Sequence, residues 1–352
     1  MPPTLVDIAK ATHTSVSTVS RVLAGGVIAN RISKETRERV EAAARELGYR
    51  PNLIARTLRT RRSNTVALLV SDIANPFFAQ MASLIEHGLH SHGYSLMLCN
   101  SGEDMEREAE YLRLLDQKGV DGLILVPILS DRDRLLQHIS PRLPLVVLDR
   151  PIAGISATVS SDQAQAARIL CEALHHRGVR RVALVCGPSH VITHRTRADM
   201  VRGCFTVVAQ CEGPSMKETG RRAHDEFAAQ LTEPPDAIIC TNNALAQGVM
   251  EAMTATEAQH DPPVVVGVFD EVPMMHLLPL PIIASMQDIR LLAEGCVRQL
   301  LPLLPGQSAV DGSAPTPEPM IFPARIVMNP AFEAWERAYR TRHPIPVEMG
   351  GG

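Results

Sequence analysis

Residues 5–23 read LVDIAKATHTSVSTVSRVL, and the rest of the chain takes its meaning from this stretch. The spacing predicts two short helices around a tight turn. Val6, Ile8, Ala9 and Thr12 fall on the expected inward face of the first, while Val19, Val22 and Leu23 repeat at i, i+3, i+4 on the second. His13 stands at the turn, and histidine is one of the few side chains enriched at positive φ. Ser15 is placed to cap the second helix, its oxygen meeting a free N–H of the first turn. Val16, Ser17 and Arg21 are left facing outward, with Ser17 and Arg21 four apart. Such a face suits a reader of the DNA major groove. An ordinary helical hairpin with a solvated polar face fits the same residues taken alone.

Charge separates this head from the body. Residues 1–62 carry twelve Lys/Arg against five Asp/Glu, a balance of +7, whereas the remaining 290 residues carry twenty-three against thirty-three, a balance of −10. A basic head on an acidic body points to a polyanion partner for the head. With 352 residues, 45% of them hydrophobic, the chain is long enough for two or three domains. Seven cysteines are scattered singly without metal-ligand spacing, which fits a reduced compartment. The start MPPTLVDIAK holds no hydrophobic signal segment, and no apolar run approaches the roughly 18 residues of a membrane span. A soluble cytoplasmic protein is expected, with no membrane partner.

Beyond the loop at Gly25 to Ile32, Ser33 caps an expected third helix with Val40, Ala43, Ala44 and Leu47 inward and Gly48 at its end. Pro51 then breaks the chain, and Asn52 can cap a short helix from Leu53 to Arg59. In it Leu53, Ile54, Ala55 and Leu58 alternate with Arg56 and Arg59, followed by Arg61 and Arg62. An apolar side chain among arginines suits insertion between base steps of the minor groove. A basic linker with incidental leucines is the alternative.

The patterns VDIAK…SVSTVSRVL, ISKETRERVEAAARELGYRPN and IARTLR resemble the DNA-binding headpiece of the LacI/GalR family of bacterial transcriptional regulators. The resemblance extends over nearly the whole chain. It implies an all-α helix-turn-helix headpiece with a hinge helix, then an α/β body of two doubly wound parallel-sheet lobes like the periplasmic binding proteins. It also implies that Val16, Ser17, Thr18 and Arg21 contact operator DNA. Asn52, Ala55, Leu58 and Arg59 would do so from the hinge, Leu58 as the wedge. The long loop at Gly25 to Ile32 is similar to the fructose-repressor, or catabolite repressor–activator, branch.

From Thr65 the body alternates strand and helix: TVALLV, YSLMLC, GLILVP and LPLVVLD, then RVALVCG, DAIICT, VVVGVF and IIASM, with helices between. That repetition predicts parallel sheets in two lobes. No GxGxxG, P-loop, GxSxG or HExxH occurs. Ligands in such sheets bind beyond the carboxyl ends of the strands. The polar residues there become effector candidates: Ser71, Asp72, Asn75 and Phe77, then Asp149 and Arg150, Arg197, Asn242 and Asp270. Helix capping is the competing use of Asp72, Asn75 and Asn243.

LDR at 148–150, VSSDQAQAARIL, NNALAQGVM and VFDE also resemble the fructose-repressor branch, which implies that Arg150 and Arg197 face a sugar phosphate. The branch's RxxGF reads Arg197-Ala198-Asp199-Met200-Val201 here, and its late double arginine reads Met328-Asn329. The expected divisions are a headpiece and hinge at 1–62, a first lobe at 63–161 and 290–328, a second lobe at 162–289, and a tail at 329–352. In the tail Phe332, Trp335 and Tyr339 form a stripe expected to dock on the body.

The expected protein is a homodimeric repressor, with a tetramer second, of a carbohydrate-metabolism operon. It would bind double-stranded operator DNA and a sugar, sugar-phosphate or sugar-acid effector, with no cofactor, metal or catalytic residue. Two paired guanidiniums make the anionic effectors the expected ones. A sugar-binding or sugar-modifying enzyme with a fused head and a non-specific architectural DNA binder are the rivals.

Overall fold

The computed structural model describes residues 3–24, 32–49, 62–129, 131–255, 263–305 and 317–342. The chain divides into two compact units, residues 1–63 and 64–352.

In the first unit, helices Leu5–Thr12, Val16–Ala24 and Lys34–Glu46 enclose a small core. Ile8, Ala9, Val19, Val22, Val40 and Ala44 fill it. Val6 does not, being 46% exposed. At 100° per residue Leu5, one position earlier, is the residue in line with Ile8, Ala9 and Thr12, and Leu5 packs on the cluster. Leu47 is likewise exposed, because the helix ends just before it and Gly48 turns the chain at φ 66°. Tyr49 packs against the core beyond that turn. His13 takes the left-handed conformation at φ 51°, and Ser33 accepts from the Thr36 N–H at 3.3 Å. The hinge segment expected at Leu53 to Arg59 lies outside the described residues.

The second unit holds twelve strands among the described residues. In chain order they are β1 Thr65–Val70, β2 Ser95–Asn100, β3 Gly122–Leu125, β4 Leu145–Leu148, β5 Thr158–Ser161, β6 Arg181–Cys186, β7 Thr206–Glu212, β8 Ala237–Cys240, β9 Val265–Phe269, β10 Ile282–Met286, β11 Met320–Phe322 and β12 Arg325–Met328. They build two six-stranded sheets, ordered β11-β5-β4-β3-β1-β2 and β12-β10-β9-β8-β6-β7. Every pairing is parallel except β10 with β12. Central strands such as TVALLV are buried on both faces, as helix-covered parallel sheets require. The edge strand β7, TVVAQCE, was not among the expected elements, because exposed and buried positions mix along it.

Each sheet reverses its winding at its first strand, β1 between β2 and β3 and β6 between β7 and β8. These are the crevices where ligands settle. The chain crosses between lobes after β5, β10 and β11, and the crossings bond to one another. Asp162 N–H donates to Phe322 O at 2.9 Å, Ala324 N–H to Gln165 Oε1 at 3.0 Å, and Gln163 Nε2 to Gln287 Oε1 at 3.3 Å.

Two boundaries differ from expectation. The segment 290–328 returns to the first lobe through helix Ile289–Leu300 and β11 but not through its last residues, since β12 completes the edge of the second sheet against β10. Residues 330–342 form a helix of the second lobe rather than a separate tail, with Phe332 and Trp335 buried in its core. The side chain of Tyr339 is outside the described set. Helices Lys217–Gln230 and Asn243–Ala255 touch backbone to backbone, because a Cβ on Gly220 would strike Leu245 O and one on Gly248 would strike Lys217 O. No described helix is long and apolar enough to cross a membrane.

Candidate functional site

In the head, burial of Val19 and Val22 turns the opposite face of their helix outward. Val16, Ser17 and Arg21 are exposed there and Thr18 is half-buried. Ser15 Oγ accepts from the Thr18 N–H at 3.1 Å and shares hydroxyl bonds of 2.8 Å with both Ser17 and Thr18. The first turn is therefore capped and its polar side chains are ordered. Asn52, Ala55, Leu58 and Arg59 fall outside the described residues.

In the body, the carboxyl ends of both sheets line one cleft. Asp72, Asn75, Phe77, Asp149, Arg150, Arg197, Asn242 and Asp270 all border it, joined by Phe78, Glu103, Thr193, His194 and Ser215. Its free volume is about 30 Å³, far below the roughly 300 Å³ of a typical ligand pocket. A sugar enters only if the lobes part. Asn243 Nδ2 donates across the lobes to Asn75 Oδ1 at 3.0 Å. Asn75 also caps the helix Pro76–His90, Asn242 rather than Asn243 caps the helix that follows β8, and Asp72 accepts from Ala74 N–H. Capping and lining are thus combined in one set of residues.

Both guanidiniums are already paired with carboxylates, although Arg197 Nη2 donates no hydrogen bond to a described residue. Arg150 Nη1 and Nη2 donate to Glu103 Oε2 at 3.1 Å and Oε1 at 2.6 Å. The same two nitrogens also reach Pro127 O and Ser71 Oγ, each at 3.3 Å. Ser71 is therefore a support behind Arg150 and does not border the cleft. Of the Arg150 donors, only the buried Nε–H has no hydrogen-bond partner among the described residues. Arg197 stands in the second turn of helix Ile192–Cys204, not in a loop beyond β6. Its Nε donates to Gln163 Oε1 at 2.9 Å, and Nη1 donates to Thr241 O at 2.7 Å and Asp270 Oδ2 at 3.2 Å. The guanidinium also lies 4.8 Å over the Phe269 ring.

Burial alone would raise the Glu103 carboxyl, but the Arg150 charge and the bonds from Arg150 and Ser71 outweigh it and keep the group ionised below its ordinary range. Burial raises Asp149 despite Arg150 and Arg197 nearby, and its Oδ1 has no hydrogen-bond partner. His194 is buried between Thr241 Oγ1 and Ser215 Oγ, 2.8 Å from each. Desolvation, then the charges of Arg150, Arg197 and His190, hold its pKa well below the ordinary value, so the ring adds no cation. Gly187 leaves room for that ring, since a Cβ there would overlap it. Behind the cleft, the buried Glu108 carboxylate accepts from Ile128 N–H at 2.7 Å and Leu129 N–H at 3.0 Å, anchoring the loop that carries Pro127. The late Met328-Asn329 is not part of the cleft. Asn329 instead donates to the carbonyls of Met275, Leu278 and Leu280.

Glu103, His194 and Ser215 were not anticipated. Glu103 was within reach of the same rule, because it closely follows β2, but Gly102-Glu103-Asp104 reads as a helix entry and Asp104 does cap the next helix. Four carboxylates and two guanidiniums border the cleft, with the imidazole neutral. Such a lining binds hydroxyl groups more readily than a phosphate.

The comparisons with known proteins agree with this architecture. Residues 4–52 match the family model described as bacterial regulatory proteins, lacI family, and residues 63–291 match periplasmic binding proteins and sugar binding domain of LacI family. The ribose operon repressor of Bacillus subtilis (strain 168) is 31% identical over 324 residues, covering 89% of this chain and 95% of that protein. A lac repressor dimer bound to operator and an anti-inducer has the same fold, with a TM-score of 0.77, 24% identity, and coverage of 94% of this chain and 99% of that one. A regulator from Alkaliphilus metalliredigens complexed with D-xylulofuranose gives a TM-score of 0.62 at 25% identity, covering 75% of this chain and 97% of that one.

Proposed function

The chain belongs to the LacI family of bacterial regulatory proteins, and on that premise we propose that it represses a carbohydrate operon under control of a neutral sugar. A family of regulators leaves no place for the enzyme reading. Val16, Ser17, Thr18 and Arg21 read base edges in the major groove, and Asn52, Ala55, Leu58 and Arg59 serve the hinge, with Leu58 as the minor-groove wedge. A homodimer supplies the two heads that a near-palindromic operator needs. Effector binding between the lobes shifts operator affinity by as much as it prefers one arrangement of the body over the other.

The observation that carries the neutral-sugar reading is the pairing of both cleft arginines with carboxylates, Arg150 with Glu103 and Arg197 with Asp270. The likeness of residues 148–150 to the fructose-repressor branch implies a phosphorylated effector. The cleft supports the opposite class, because a phosphate would meet four acids, and neither guanidinium presents an edge with both of its N–H groups free. Asp149 Oδ1, Arg150 Nε and Asn243 Oδ1, buried and without hydrogen-bond partners, are an acceptor, a donor and an acceptor suited to hydroxyls. A pentose is the preferred sugar, in line with the ribose operon repressor among the relatives and the D-xylulofuranose complex among the similar structures. Calorimetry of the full-length protein with D-ribose and D-ribose 5-phosphate, at low and high salt, tests this. Salt-independent binding of the neutral sugar is the expected result. Preferential, salt-sensitive binding of the phosphate overturns it.

A further inference from the structure

We propose that Glu103 is the specificity-determining residue of the cleft, an internal carboxylate that occupies the anion-binding edge of Arg150 and thereby excludes phosphorylated and acidic sugars. This rests on the neutral-sugar reading and names the residue that enforces it. A guanidinium recognises a phosphate or carboxylate by presenting two parallel N–H groups along one edge. The Nη1–Nη2 edge of Arg150 is taken by the two oxygens of Glu103. The second Nη2 hydrogen goes to Ser71, so the Nε–Nη2 edge is also broken. What is left is the single Nε–H, which can serve one hydroxyl but cannot form a fork.

The arrangement is built rather than incidental. Arg150 is 5% exposed, Pro127 O holds Nη1 from behind, and Glu108 anchors the loop that presents this carbonyl. Glu103 itself sits in a left-handed backbone position, φ 59°, closing the turn after β2. The guanidinium cannot swing away, and its countercharge is a fixed feature of the first lobe. An anionic ligand group must either expel Glu103 from Arg150 or lie against a carboxylate.

The test uses three probes, D-ribose, D-ribose 5-phosphate and inorganic phosphate, with the full-length protein and its Glu103→Gln, Glu103→Ala and Glu103→Asp variants. Binding is read by calorimetry and by release of labelled operator DNA. Wild type and Glu103→Asp, which keep the negative charge, should ignore both phosphates. Glu103→Gln and Glu103→Ala should gain at least about tenfold in affinity for D-ribose 5-phosphate, weakening as salt rises, because a bare guanidinium edge is opened. The smaller alanine keeps the test open should the amide variant misfold. In Glu103→Gln/Arg150→Gln both charges are gone, and the gain should vanish with them. Glu103→Gln or Glu103→Ala that bind D-ribose but still ignore both phosphates would overturn the gate while sparing the neutral-sugar reading. A phosphate response that persists in the double variant would remove Arg150 as the receptor. Wild-type protein that binds D-ribose 5-phosphate would overturn the neutral-sugar reading itself, and the gate with it.

Discussion

Asp149 and Asp270 hold equivalent places in the two lobes. Each follows a corresponding strand, β4 or β9, each is left-handed at φ 67° and 72°, and each donates its N–H to the neighbouring strand, Asp149 to Val159 O at 2.8 Å and Asp270 to Ser285 O at 3.0 Å. Their side chains have diverged. Asp270 is the countercharge of buried Arg197 at 3.2 Å and also accepts from Gln287, whereas Asp149 lies 3.9 Å from Arg150 Nε and leaves Oδ1 without a hydrogen bond.

That divergence predicts opposite outcomes for one substitution. Asparagine tolerates positive φ, so Asp→Asn leaves the backbone alone at either position. Asp270→Asn strips a buried cation of its partner and should cost about 3 kcal/mol of stability. Asp149→Asn relieves a carboxyl that burial already disfavours, so stability should change by less than about 1 kcal/mol while sugar affinity falls about tenfold or more. Chemical denaturation and calorimetry of the two variants check this. Equal destabilisation of both would show that the lobes use their acids alike.

The positions of these acids were legible because a strand's apolar run announces where it ends. LVVL before Asp149 and VVGVF before Asp270 leave little choice. The partners were less legible. Glu103 and Arg150 are 47 residues apart, and nothing local announces that they meet. The anionic effector was expected from two arginines counted without their carboxylates. Ser215 and His194 were missed for a different reason. Ser215 follows β7, whose mixed exposure hides it, and His194 lies in the first turn of a helix where polar residues are ordinary. In the head, the expected inward face was off by one residue at Val6, which a strict 100° step would have corrected.

Close contact between helices Lys217–Gln230 and Asn243–Ala255 makes the second lobe sensitive to a single methyl group. A Cβ at Gly220 or Gly248 meets carbonyl oxygens and backbone atoms of the facing helix, which have no rotamer to move to. Alanine raises intrinsic helix propensity, so an isolated helix would gain up to about 1 kcal/mol. Overpacking should dominate, and Gly248→Ala should destabilise the body by about 2 kcal/mol or more. Denaturant midpoints decide the sign. A stabilised Gly248→Ala would mean that the helices separate at little cost.

Arg21 is exposed on the recognition face, about one turn beyond Ser17 on the same side of its helix. A guanidinium there can donate two bonds to a guanine edge. Arg21→Ala should therefore cost roughly 1–3 kcal/mol on the cognate operator and relax preference at one base position. Fluorescence anisotropy with cognate and random duplexes separates the possibilities, because equal losses on both would mark Arg21 as a phosphate contact only.

His194 gives the body an acid-sensitive element. Desolvation and the charges of Arg150, Arg197 and His190 depress its folded pKa, while in the unfolded chain it titrates near 6.5. Above that value both states are neutral and its contribution is fully present. As pH falls below it, the unfolded chain takes up a proton that the folded body refuses, and stability drops by up to about 1.4 kcal/mol per pH unit. Asp149 and Glu108, with raised pKa values, act the other way, since their folded forms bind protons first on acidification. The comparison that isolates His194 is therefore wild type against His194→Gln, which carries no titratable proton, unfolded in denaturant from about pH 8 down to about pH 5.5. The wild-type curve should fall below that of the variant progressively under pH 6.5. Parallel curves across the range would show that the imidazole either charges freely in the folded body or never does so in the unfolded chain.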